Sequence, residues 1–146
     1  MKIRVNQKTD FHFIGKGEDL DLELPIDAAA HVGGKGRGFR PPALLMYSIA
    51  ACMGIHTYEA LHQAGKHVED VEVETDGERR PDYPKVYTKI MLKFRMKGPD
   101  LTNKDIQDAI HEALTRTCSI AVMASRVAPI TCEYEVGSLK GTVTAA

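Results

Sequence analysis

Residues Pro41–Ile55, PPALLMYSIAACMGI, contain no charged side chain, although the chain is only 146 residues long. Proline suits the first turn of a helix, and a glycine after the last turn suits its end, so the sequence predicts one helix from Pro41 to about Gly65. The apolar run falls short of the roughly 20 residues that span a bilayer. A helix that is apolar all round must be covered on every side. We therefore expect it to be buried.

Complete cover for this helix is difficult to find within one small domain. A predicted sheet covers one side, and a second helix, with Ile106 and Ile110 on its apolar face, covers another. Ala50 and Gly54 lie four positions apart and form a low groove that another backbone can approach closely. We therefore predict a homodimer, the commonest oligomer of soluble proteins. The alternative is a monomer whose loops cover the helix.

The remaining pattern predicts the order β-β-β-α-β-β-α-α-β, an α+β chain with one domain over residues 1–137. Thr102 and Asp105 form a variant capping box at the start of the second helix. Residues 138–146 are small and polar, and we expect a flexible tail there. The predicted strands are Lys2–Val5, Phe11–Ile14, Leu20–Leu24, Val68–Thr75, Lys85–Met96 and Ile130–Val136.

Charge and cysteine usage narrow the class of protein. The net charge of −1 predicts no affinity for nucleic acid or an anionic membrane. Three cysteines without a CxxC pair argue against a disulfide framework or a zinc ribbon, and the N-terminus lacks the apolar segment of a secretory signal. We expect a protein of the reducing cytoplasm.

Each cysteine has a structural and a chemical interpretation. Cys52 lies too far into its helix for the helix dipole to activate it, so it is either a core residue or a thiol activated by a cation from elsewhere. Cys118 begins a short apolar helix after Arg116 and is either a capping residue or a stabilised thiolate. Cys132 shares a strand face with Ile130 and Tyr134, which predicts core packing.

The other polar motifs give weaker evidence of a functional site. The six histidines make no recognised metal pattern with cysteine, aspartate or glutamate, and we interpret them as solvated surface residues. The basic segment His31–Arg40, HVGGKGRGFR, faintly suggests a phosphate-binding loop but lacks the GK[ST] ending. We expect this segment to be a mobile loop.

From Gly33 to Val136 the chain resembles the OsmC/Ohr family of osmotically induced and organic-hydroperoxide-resistance proteins. The similarity is carried by the proline-opened helix that contains Ala-Ala-Cys, the PKVYTKI strand, the KGPDL turn and the RTCSIAV segment. It implies an OsmC-like fold, with antiparallel sheets around long central helices in an intertwined homodimer. It also implies a cysteine-based peroxidase with no cofactor, in which Cys52 matches the peroxidatic and Cys118 the resolving cysteine.

The implied reaction needs a small organic hydroperoxide and a dithiol reductant of the lipoyl or thioredoxin type. Two positions depart from the family. Pro42 and Ala43 stand where a glutamate often holds the activating arginine, and Ser119 stands where proline often follows the resolving cysteine. Arg37 and Arg40 are candidates for the arginine by sequence only. A stress or binding protein with little or no peroxidase activity is therefore a second hypothesis, and a purely structural dimer is a third.

Overall fold

The computed structural model describes residues 2–145, and Met1 and Ala146 lie outside the described residues. These residues form two compact units, one ending at Leu45 and one beginning at Met46. Each unit carries its own β-sheet, and residues 2–145 contain three α-helices, which confirms the α+β class. The single domain over residues 1–137 stays a prediction.

The first unit is a three-stranded antiparallel sheet. Its strands are β1 (Ile3–Thr9), β2 (His12–Gly17) and β3 (Glu23–Ile26), in that spatial order. β3 begins later than the sequence predicts and runs through Pro25, which an edge strand tolerates because one side of its backbone needs no partner. Leu20 and Leu22 lie outside the strand and are exposed.

The charge-free segment opens α1 (Pro41–Gln63), the longest helix of the described residues. Gly65 has a φ of 74° and donates its N–H to the carbonyl of His62, and Lys66 donates to Leu61, so the predicted glycine stop is confirmed. Ile49 and Met53 are fully buried. The opposite face is not covered, since Tyr47 is 61% and Ile55 64% exposed. The single chain therefore leaves one face of α1 uncovered, and burial on every side stays a prediction that depends on a second copy.

The second unit contains a mixed four-stranded sheet. Its strands, in spatial order, are β4 (Asp70–Arg79), β5 (Tyr87–Lys97), β6 (Ile130–Val136) and β7 (Leu139–Thr144). The predicted purely antiparallel arrangement is wrong here, because β5 and β6 are parallel. The chain between them supplies the two further helices, as a parallel pair requires a long crossover.

The predicted flexible tail forms β7 instead. Gly137, at a φ of 59°, permits the tight turn that pairs Val136 with Leu139. Val143 is buried, and Gly141 lies against the ring of Tyr134, where a Cβ would come within 2.4 Å of the hydroxyl. The absence of a side chain at Gly141 therefore lets β7 pack over the buried Tyr134. This tertiary contact cannot be predicted from residue type alone.

Helix α2 (Asn103–Glu112) begins at the predicted capping box. The Thr102 hydroxyl oxygen accepts from the N–H of Asp105, and the Asp105 carboxylate accepts from the N–H of Thr102. A π-helical turn, Ala113–Thr117, follows, and then α3 (Ser119–Ser125). This irregular turn delivers Cys118 to the start of α3.

Candidate thiol site

Cys52 lies on α1 at the edge of the buried face. Its side chain is partly buried and packs against the core of the second unit. Its neighbour in the chain, Met53, is fully buried and anchors this part of the helix. Cys52 is thus held against the core but is not fully buried.

Cys118 is the N-cap residue of α3. Its extended backbone, with φ −81° and ψ 96°, ends the π turn, and its sulfur accepts a hydrogen bond from the N–H of Ala121 at 3.3 Å. The side chain is fully buried. A π turn is an uncommon feature that is often found next to functional residues.

The two thiols meet, although they are distant in sequence. Burial, and after it a hydrogen bond with the Cys52 side chain, raise the pKa of Cys118 to about 12. Cys118 therefore stays protonated at neutral pH. The structure therefore joins a buried, protonated thiol to a partly accessible one.

The suggestion that helix amides and Arg116 make Cys118 a stabilised thiolate is wrong. The amides do lower its pKa, but burial outweighs them. Arg116 is bonded to Glu112 and its side chain is 77% exposed. Its charge is therefore paired with a carboxylate at the protein surface.

Cys132 is a core residue, as predicted. Its side chain is fully buried on β6, between Leu92 of β5 and Val143 of β7. Burial alone raises its pKa to about 12. It is therefore a protonated, apolar side chain.

One polar pair near the site was missed by sequence reasoning. His56 is partly buried, and its Nδ1 lies 3.1 Å from Oε2 of Glu59, so it is not a plain solvated residue. The i, i+4 spacing of Cys52 and His56 was the available signal. Within residues 2–145, no group of three or more histidine, cysteine or carboxylate side chains is arranged to hold a metal ion.

The glycine-rich basic loop belongs to the first unit and is anchored, not free. The buried Asp27 carboxylate accepts from the backbone N–H groups of Ala28, Lys35 and Arg37 and from the Arg37 guanidinium. These bonds, led by the Arg37 N–H, lower the pKa of Asp27 to about 2. Arg37 is thus held by an aspartate inside its own unit. No helix of the described residues is long and apolar enough to cross a membrane.

The structure thus defines an α+β protein of a thiol-bearing class, in which a cysteine on α1 contacts a cysteine at the start of α3. Within that class, the chain belongs to the OsmC family: the family described as OsmC-like protein matches residues 34–133.

Curated and solved relatives agree with this assignment. Protein YhfA of Escherichia coli strain K12 is 30% identical over 96 residues, which are 66% of this chain and 72% of that one. A hypothetical protein from Aquifex aeolicus superposes with a TM-score of 0.80 at 23% identity, over 92% of this chain and 94% of that one. An organic hydroperoxide resistance protein OsmC from Legionella pneumophila gives 0.69 at 16% identity, over 92% and 96%. At these identities the two structures show a shared fold.

Proposed function

We propose that this protein is a cysteine-based peroxidase that reduces small organic hydroperoxides and acts in defence against oxidative stress. The observation that carries the proposal is the hydrogen bond between the Cys118 and Cys52 thiols. Two thiols in contact can be oxidised to a disulfide without a metal, flavin or haem. The name of the Legionella pneumophila structure, an organic hydroperoxide resistance protein, supports the same chemistry.

The difference between the two thiols supports the roles that we propose for them. Cys52 is partly accessible and attacks the terminal oxygen of the hydroperoxide. An S–O bond forms, the O–O bond breaks, and the alkoxide leaves and takes up a proton, which gives an alcohol and a sulfenic acid on Cys52. Cys118, which is buried and bonded to Cys52, then attacks that sulfur, and water leaves as the disulfide forms.

A dithiol completes the cycle. A lipoyl- or thioredoxin-type dithiol reduces the Cys52–Cys118 disulfide by exchange through a mixed disulfide, and both thiols are restored. We place the reaction in the cytoplasm, where such reductants are kept reduced. No resident cofactor takes part.

The helix around Cys52 favours an organic substrate over hydrogen peroxide. No charged side chain occurs in Pro41–Ile55, and Met53 beside the thiol is apolar. An apolar environment stabilises the alkyl group of a hydroperoxide by removing it from water.

We further propose that the working form is a homodimer. An open groove of about 620 Å³ runs between α1 and β4, and its walls include Ala50, Ala51, Gly54 and Val73. The small α1 residues leave room for another helix to approach closely. Tyr47, Ile55 and Tyr58 line the same groove and are exposed in the single chain. A second copy of α1 is the occupant that matches this self-complementary apolar face.

The enzymatic proposal is tested by coupled turnover of cumene hydroperoxide with dihydrolipoamide. We expect Cys52→Ser to abolish turnover. Cys118→Ser should stop the cycle at a sulfenic acid on Cys52, and Cys132→Ala serves as the matched cysteine control that stays active. Peptide mapping after one equivalent of peroxide should find a Cys52–Cys118 link. A folded wild type without Cys52-dependent turnover would support a stress or binding role instead.

A further inference from the structure

Helix α1 carries a polar stripe that begins at the reacting thiol. Cys52, His56, Glu59 and Gln63 are spaced i, i+4, i+7 and i+11, which places them along one face of a helix. Glu59 is the only acidic side chain in the 23 residues of α1, and it is bonded to His56. The single carboxylate of α1 therefore lies next to the histidine that is one turn from Cys52.

The bonds along the stripe fix the proton on the imidazole. A glutamate carboxylate accepts hydrogen bonds and does not donate them, so the contact of 3.1 Å assigns the proton of His56 to Nδ1. Gln63 donates to the other Glu59 oxygen at 3.3 Å and holds that carboxylate in place. Nε2 is then the nitrogen that can accept a proton.

His56 and Cys52 lie one turn apart on the same face of α1. Residues four apart on a helix have Cβ atoms about 5–6 Å apart. His56 is therefore a neighbour of Cys52 on the helix surface. Its side chain is 29% exposed, so it is partly shielded from water. No other hydrogen bond or ion pair of His56 is found in residues 2–145.

We propose that His56, oriented by Glu59, is the base that takes the proton from Cys52 and later returns it to the leaving alkoxide. This deepens the proposed peroxidase function and rests on it. Nε2 accepts the thiol proton, and the Glu59 carboxylate stabilises the resulting imidazolium. The thiolate attacks the peroxide, and the imidazolium protonates RO⁻ to ROH. The net change is Cys–SH plus ROOH to Cys–SOH plus ROH, with no further reactant.

The charges and thiols around the stripe are consistent with this direction of proton transfer. The groups that the structure places in contact with it are Glu59 on α1 and the Cys118 thiol at the start of α3. Cys118 is fully buried and stays protonated, so it is not the base for the Cys52 proton. His56 is thus the proton acceptor available on the same helix face, and Glu59 is a positioning residue that acts through it.

The test is the pH profile of Cys52 alkylation by iodoacetamide, followed on the Cys52 peptide by mass spectrometry between about pH 5 and pH 9. We expect His56→Asn to slow alkylation at pH 7 about tenfold, since the thiolate is the nucleophile and the variant lacks the base that forms it. Glu59→Gln should cause a smaller loss of rate. His62→Asn is the control, because His62 lies on the same helix but six positions from His56, off the stripe.

The outcomes separate this inference from the peroxidase proposal. Alkylation does not require peroxide turnover. A His56-dependent profile in a protein without turnover would therefore support the role of His56 and contradict the peroxidase proposal. A profile that is unchanged in His56→Asn and Glu59→Gln would show that the pair only stabilises the helix, and it would overturn the inference. If His56→Asn does not fold, by circular dichroism, Glu59→Gln alone decides the result.

Discussion

The sulfur of Cys118 accepts a hydrogen bond from the backbone N–H of Ala121 at 3.3 Å, and the same side chain is hydrogen-bonded to that of Cys52. One buried side chain therefore caps α3 and contacts the partner thiol. Serine at this position keeps a hydrogen-bond acceptor but cannot form a disulfide, so substitutions can separate the two roles.

The first prediction concerns this cap. Serine can replace the sulfur as an N-cap acceptor, whereas alanine cannot, and loss of such a cap costs about 1 kcal/mol. We expect Cys118→Ala to be less stable than Cys118→Ser by about that amount, while neither variant forms the disulfide with Cys52. Urea unfolding under reducing conditions measures the difference. Equal stabilities would show that the contact with Ala121 does not stabilise α3.

The second prediction is a loss of stability at alkaline pH. Burial raises the pKa of Cys132 from 9.0 to about 12, so the folded protein keeps a proton that the unfolded chain releases. This contribution is therefore fully present below about pH 9 and is lost as the pH rises to about 12. Cys132→Ala should show a shallower loss of stability across that interval.

Urea midpoints at several pH values test the alkaline prediction. The cavity made by alanine lowers the midpoint at every pH, whereas removal of the ionisable thiol changes the slope. Parallel curves for the wild type and Cys132→Ala would contradict the assignment of this slope to Cys132.

The third prediction concerns the loop held by Asp27. The pKa of this carboxyl is lowered from 3.8 to about 2, so its contribution to stability is present above about pH 4 and is lost as the pH falls towards 2. At neutral pH, Asp27→Asn should speed hydrogen exchange at the amides of Lys35 and Arg37. Asp10→Asn is the control, since the Asp10 carboxylate is exposed and contacts the side chains of Lys35 at 3.0 Å and Arg37 at 3.9 Å, not their backbone amides. Unchanged exchange in Asp27→Asn would contradict the anchoring role.

The fourth prediction concerns the dimer. Ile55 is 64% exposed on the uncovered face of α1, and a charge at the centre of an apolar interface is costly. We expect the wild type to sediment as a dimer and Ile55→Glu as a monomer. Met123→Glu, at a position 61% exposed on α3, should remain dimeric. A wild-type protein that is monomeric at micromolar concentration would contradict the dimer proposal.

Where local signals are strong, the sequence predicted the structure well. The strand Ile130–Val136 was predicted with its observed bounds, because apolar and polar residues alternate there. The capping box at Thr102 and the glycine stop at Gly65 were also predicted, since each depends on residues only a few positions apart. Strand β7 was missed because its pairing depends on Gly141 fitting against Tyr134.

For the candidate site, the residues alone left Cys52 open between a core residue and a reactive thiol, and family resemblance singled out Cys118 as its partner. The sequence by itself determined that a helix without charge would carry a cysteine, because side-chain type and helical period are local properties. Only the tertiary structure decided that Cys118 would be buried, protonated and bonded to that cysteine. Burial and long-range contact depend on how distant segments pack, and they outweighed the local amides and Arg116 that favour a thiolate.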